Sequence, residues 1–148
     1  MADYSKLDIN NIARIGLIFL DGDSLEGVML DPYGPTDYDF NLFNDCKKTI
    51  MKIERINPQV DISVFLWQKR ADNPNFVLPV IAGKQLPITG WLKTPMTDSM
   101  RSAFGGGFGT IENRPEGGKS YFYPVRNSDA EIIGVMELLT GDAPVIDI

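Results

Sequence analysis

The sequence predicts an α+β domain with a five-stranded antiparallel sheet. Two observations lead to this class: apolar residues recur with helical spacing as far as Ile56, and strand-like patterns follow from Asp61 onward. The length of 148 residues fits a single domain, with a core over about residues 10–140 and a tail at 141–148. We therefore expect an N-terminal helix and a long helix packed on one face of one sheet.

The N-terminal segment Ile9–Leu20 is the first predicted helix. Its apolar residues share one helical face, which favours a helix over the alternative, a strand Ile15–Leu20 followed by a turn at Asp21-Gly22. Asp23 is then expected to cap a short helix, Ser24–Leu30. Residues 31–39 contain two prolines and a glycine, which is typical of a loop.

The long helix has the clearest pattern in the chain. Asn57-Pro58 is expected to end it, because the residue before a proline avoids helical geometry. The sole cysteine lies on its apolar stripe, so we expect a buried, inert thiol. The stripe comprises Leu42, Phe43, Cys46, Ile50, Ile53 and Ile56.

The sheet is predicted to begin with two strands and an intervening turn. Asp61–Arg70 is rich in β-branched and aromatic residues and apolar on both faces, which predicts a central strand. Phe76–Ala82 is expected to pair with it, and Pro79 indicates an edge position or a bulge. Thr94-Pro95 is then expected to begin a helix that continues to about Phe104.

Three further strands are predicted to complete the sheet. They follow Gly105-Gly106-Gly107, which ends the preceding helix. Asn127-Ser128-Asp129 has the composition of a tight turn between the last two strands. The three strands are Phe108–Glu112, Ser120–Arg126 and Glu131–Leu139.

Composition and charge exclude several classes of function. With 14 basic and 20 acidic residues the net charge is −6, so we expect no nucleic-acid partner. The chain has no histidine and one cysteine, which excludes histidine-dependent triads and most zinc sites, and we expect no metal or cofactor. The basic cluster of Lys47, Lys48, Lys52 and Arg55 is expected to be a solvated helix face.

The tetrapeptide Gly22-Asp23-Ser24-Leu25 resembles the nucleophile motif of the GDSL serine hydrolases. In that family a histidine takes the serine proton, and this chain has none, so a helix cap is favoured and we expect no enzyme. Asp21, Asp23 and Glu26 also suggest a calcium loop, but the full loop pattern is missing and capping is again favoured.

Aromatic and charged residues suggest a ligand pocket on the face of the sheet opposite the long helix. The segment Gly83–Phe104 is expected to cover this face, either as a second core layer or as the wall of a pocket with apolar sides and a few polar groups. The candidate lining residues are Trp67, Trp91, Lys93, Tyr121, Tyr123 and Arg126.

Three stretches together carry a resemblance to a known family. They are residues 13–26 with "DGDSLE", residues 53–64 with a helix, an Asn-Pro break and a strand, and residues 121–136 with "YFYPVRNS" and "IIGVM". In this order they resemble the Cache domains, the PAS-like extracytoplasmic sensor modules of bacterial chemoreceptors, histidine kinases and diguanylate cyclases.

The resemblance implies a ligand-sensing function. Its usual ligands are small organic acids, amino acids or similar solutes, bound between the sheet and Gly83–Phe104. Trp91 and Asp98 match part of the amino-acid-binding pattern, but no Arg-x-Trp-Tyr run is present, which leaves a carboxylate held by Lys93 or Arg126.

The resemblance also implies a setting for the chain. It would be the extracytoplasmic domain of an inner-membrane protein, in contact with the membrane only through flanking helices. The apolar stripe of Ile9–Leu20 would either form a homodimer or pack on its own sheet. A dimerisation and signal-relay module that binds no ligand is the alternative.

Overall fold

The computed structural model describes residues 6–28, 40–56, 60–70, 73–84, 94–114 and 117–141. These residues form an α+β fold with an antiparallel sheet in the order β3-β2-β1-β6-β5-β4. The helices are α1 (Lys6–Phe19), α2 (Gly22–Glu26), α3 (Phe40–Ile53) and α4 (Asp98–Phe104), and the strands are β1 (Ile62–Lys69), β2 (Phe76–Ala82), β3 (Thr94–Pro95), β4 (Thr110–Asn113), β5 (Lys119–Arg126) and β6 (Ile132–Thr140).

The first segment is a helix, as predicted. Its stripe of Ile9, Ile12, Ala13, Gly16, Leu17 and Leu20 packs on the sheet and α3 of its own chain, with Leu17 partly buried and the other five residues buried. Gly16 permits the close approach of the two helices, because a Cβ at this position would lie 2.7 Å from the Ile53 Cδ1.

The short helix α2 begins earlier than predicted. Its N-cap is Asp21 and not Asp23, because the Asp21 carboxylate accepts the backbone N–H of Asp23 at 3.1 Å. The helix ends at Glu26, and Leu30 lies outside the described residues.

The long helix α3 is confirmed, although it ends at Ile53, and Asn57-Pro58 lies outside the described residues. The Glu54 side chain ties its end to the sheet by accepting the backbone N–H groups of Val64 at 2.9 Å and Lys84 at 3.0 Å. Lys47 was wrongly predicted to be solvated. It is half-buried and donates to the carbonyls of Ala82 and Gly83, whereas its three basic neighbours in the predicted cluster are exposed.

Cys46 is buried, and burial raises the pKa of its thiol to about 11. The thiolate is the reactive form, so we expect iodoacetamide to leave Cys46 unmodified at pH 8 in the native protein and to alkylate it in urea. Mass spectrometry after a timed exposure measures this difference. Alkylation at the same rate in both conditions would contradict the buried placement.

The strands β1 and β2 form the predicted antiparallel pair. The register moves between Leu66, which faces Ile81, and Trp67, which faces Pro79. This shift confirms the bulge expected from the proline, since proline cannot donate to a regular ladder. Strand β1 also pairs with β6, which confirms its central position.

Thr94-Pro95 does not begin a helix, and this prediction was wrong. The two residues form β3 against Phe76 and Val77, which gives the sheet a sixth strand. The helix α4 begins three residues later, where Thr97 accepts the backbone N–H of Met100 at 3.3 Å. It ends at Phe104, as predicted.

The sheet separates two apolar layers. Helices α1, α2 and α3 cover one face, which we call the helix face, over residues such as Ile62, Leu66 and Met136. Helix α4 packs against β4, β5 and β6 on the other face, which we call the α4 face. Among the described residues, no helix is both long and apolar enough to cross a bilayer.

Candidate functional site

The α4 face carries a buried acid in a mostly apolar layer. Glu137 lies on β6 directly opposite Phe65 of β1 and Phe122 of β5, so aromatic side chains flank it on both neighbouring strands. Only 2% of its surface is exposed. A carboxylate in such a place needs hydrogen-bond donors to offset the cost of desolvation.

Two hydrogen-bond donors and one cation, from three strands or their ends, surround this carboxylate. The Trp67 Nε1 donates to Glu137 Oε1 at 2.8 Å, and the Ser120 hydroxyl donates to Oε2 at 2.5 Å. The Arg114 Nη1 lies 3.6 Å from Oε2, at ion-pair distance. We call these four residues the Glu137 cluster.

Burial raises the pKa of Glu137 above its ordinary value, while Ser120, Arg114 and Trp67 act in the opposite direction. Glu112 adds a charge of the same sign and raises the pKa further. The charge on Glu137 therefore depends on its two donors and on the Arg114 cation, and the loss of any of them disfavours the ionised form.

Helix α4 covers part of the Glu137 cluster's face. Met100 and Ala103 are buried in the same layer as Trp67 and Phe122, and the Lys69 ammonium lies 5.0 Å from the centre of the Phe104 ring. The predicted covering segment also includes Trp91 and Lys93, which lie outside the described residues.

The remaining predicted site residues do not meet at one place. Trp67 is on the α4 face, as expected, whereas Asp98 is exposed in the first turn of α4. Arg126 is exposed at the end of β5, where its guanidinium donates to the Ala130 carbonyl at 2.8 Å.

Tyr121 and Tyr123 lie on the helix face, so their predicted placement beside Trp67 was wrong. The Tyr123 hydroxyl donates to Asn10 Oδ1 of α1 at 2.8 Å, and its ring meets Phe108 edge-on at 4.7 Å. Burial raises the pKa of both tyrosines. Strand alternation places the two on one face together, but which face depends on the packing of α1.

The "DGDS" segment forms a junction with the turn between β5 and β6. The Asp23 carboxylate accepts the backbone N–H of Ser128 at 3.0 Å, and this bond holds the pKa of Asp23 below its usual value. Gly22 packs directly on the Arg126 carbonyl, and Ser24 donates to Asp21 at 2.8 Å. The serine thus takes part in the cap of α2.

Sequence reasoning missed Glu137, Ser120 and Arg114. The available signal was a single acid inside the apolar run "GVMELL" of a predicted strand. Among the described residues, no three metal-ligating side chains lie together. A comparison with protein-family models and with curated proteins finds no match to this chain.

Proposed function

We propose that this chain is a ligand-sensing domain of the Cache or PAS-like kind, without catalysis of its own. The observation that carries the proposal is the Glu137 cluster, a hydrogen-bonded polar group set in the aromatic floor of the α4 face. The order of the five longer strands, with β1 and β6 paired at the centre, is compatible with the fold that the sequence resemblance implies.

The proposed ligand is a small organic solute held between the α4 face and the segment 83–104. Trp67 contributes an aromatic ring, whose N–H is bonded to Glu137, and Trp91 and Lys93 belong to the segment that the sequence predicts to cover this face. Because a bound carboxylate would lie near the charge of Glu137, neutral and cationic solutes are candidates beside the carboxylates.

The proposed signal passes from the α4 face to α1. In this proposal a bound ligand shifts α4 against β5 and β6, on which it packs, and the turn that connects these two strands holds α2 through Asp23 and Ser128. Because α2 follows α1 with only two residues between them, a shift of this turn alters the position of α1. In an extracytoplasmic receptor domain, α1 would be the element that passes the change to the membrane.

A thermal-shift screen of the purified chain against several hundred metabolites tests the proposal. We expect at least one solute to raise the melting temperature with concentration, because a ligand that binds only the native state stabilises it. The dissociation constant of each hit is then measured in Trp67→Phe, Lys93→Gln and, as a matched control on the helix face, Tyr121→Phe.

A ligand that contacts Trp67 on the α4 face should bind at least tenfold more weakly to Trp67→Phe. The same ligand should bind to Tyr121→Phe with unchanged affinity. Equal affinity for all variants would place the ligand elsewhere and contradict the proposed site. A screen without hits would favour a signal-relay module that binds no solute.

A further inference from the structure

The outer surface of α1 and α3 combines exposed apolar side chains with exposed basic ones. On α1, Ile18 is 77% exposed and Phe19 is 73% exposed, beside Ile15 at 44%. Exposed isoleucine occurs singly on many proteins, but three large apolar side chains within five residues form a patch that water solvates poorly. The patch lies beside the buried stripe of α1, and Gly16 of that stripe separates Ile15 from Phe19 along the groove between α1 and α3.

A groove joins this apolar patch to α3. It has a volume of about 490 Å³, and Ile15 and Phe19 of α1 face Thr49 and Lys52 of α3 across it. Gly16 and Ile53 form its floor, where the two helices approach most closely. The apolar residues and Lys52 therefore belong to one continuous surface.

The charge on this surface is opposite to that of the whole chain. Lys48, Lys52 and Arg55 are exposed and spaced three to four residues apart, so they lie on one side of α3 and its C-terminal turn. Asp45 is the one exposed acid among the described side chains of α1 and α3. The net charge of the chain is −6, so these basic side chains are concentrated on one surface of an acidic protein.

We propose that this surface docks on an anionic lipid membrane, with Ile18 and Phe19 inserted at the headgroup level and the three basic side chains against lipid phosphates. Apolar side chains beside a basic ridge are the combination that binds anionic bilayer surfaces. A second copy of the chain is disfavoured as the occupant, because a symmetric pair across this surface would bring like charges together. The docking does not depend on the proposed ligand.

Cosedimentation of the whole chain with lipid vesicles tests the proposal. We expect binding to vesicles of phosphatidylcholine and phosphatidylglycerol in equal amounts, little binding to phosphatidylcholine alone, and weaker binding as NaCl is added. Lys52→Gln and Lys48→Gln should each weaken binding about fivefold. Ile18→Ser should weaken it about tenfold.

Matched controls lie on other elements. Lys119→Gln removes an exposed base from β5, and Ile111→Ser removes an exposed isoleucine from β4, so both should bind like the wild type. The proposal is overturned by equal binding to neutral vesicles, by variants that match their controls, or by absence of binding. A dimer that Ile18→Ser dissociates, without vesicle binding, would identify a second copy as the occupant and also overturn it. None of these results bears on the metabolite screen.

Discussion

Replacement of Glu137 by alanine is expected to lower the free energy of unfolding by about 3–5 kcal/mol, as removal of one partner from a buried charged pair does. The substitution leaves the Trp67 N–H and the Ser120 hydroxyl without their shared acceptor inside the α4 face, and it removes the carboxylate that lies 3.6 Å from the Arg114 guanidinium. Buried donors that lose their acceptor retain the full cost of desolvation. Urea denaturation followed by tryptophan fluorescence measures the change.

Glu137→Gln is the matched control, because it keeps the volume and one acceptor oxygen while removing the charge. Folding raises the pKa of Glu137 above its ordinary value of 4.5, so the folded state holds the proton more tightly. The pH-dependent part of the Glu137 contribution to stability is therefore fully present below about pH 4.5 and is lost as the pH rises through the higher folded pKa.

Glutamine does not titrate, so the wild type should lose stability relative to Glu137→Gln as the pH rises from about 4.5. Denaturation curves of both proteins across this range give the difference. A stability difference that is independent of pH would show that Glu137 has the same pKa in the folded and unfolded chains.

For Glu137→Ala, a decrease of less than about 1 kcal/mol in the free energy of unfolding would contradict the hydrogen bonds of the Glu137 cluster.

Gly22→Ala is expected to cost about 3 kcal/mol, the upper part of the range for overpacked positions. A Cβ at Gly22 would lie 1.9 Å from the Arg126 carbonyl oxygen, and a backbone atom cannot move aside as a side chain can. The junction of α2 with the turn must therefore open. Loss of the Asp23–Ser128 hydrogen bond should accompany this, and faster amide exchange at Ser128 would report it.

Gly27→Ala provides the comparison for this variant. Its added Cβ would meet the Leu42 Cδ1 at 2.9 Å, which is the mobile end of a side chain, and the backbone at Gly27 has φ −67°. Alanine adopts this conformation readily, so the change should be within about 1 kcal/mol of neutral. Equal effects of the two substitutions would indicate that α2 does not lie against the turn.

The long strands and α3 could be predicted because their patterns are local. An apolar run on both faces indicates a central strand wherever it occurs, and Asp61–Arg70 has such a run. β3 was missed because a two-residue strand has no period, and Thr94-Pro95 has the composition of a helix start. Thr94-Pro95 pairs with Val77 and Phe76 of β2, whereas Thr97 lies outside β3 and caps α4, and the local composition does not show this difference.

The site was less predictable for a related reason. Side chains alternate along a strand, so Tyr121 and Tyr123 are expected on the same face of the sheet. The contacts of Tyr123 with Asn10 and Phe108 show which face this is, and neither residue belongs to the strand pattern. The hydrogen-bond partners of Glu137 are Trp67 and Ser120 on two other strands, so the sequence spacing does not predict that the three residues meet. An acid inside an apolar strand was the single local indication.

The pairing of β1 with β6 has a consequence for how the chain is made. β1 is complete at Lys69, yet its partner β6 begins only at Ile132 and is synthesised much later. Until then β1 offers one bare edge whose side chains are apolar on both faces, which is the kind of edge that pairs with other chains. Nascent chains stalled before Ile132 should therefore need a chaperone to stay monomeric, whereas pairing with β6 covers this edge of β1.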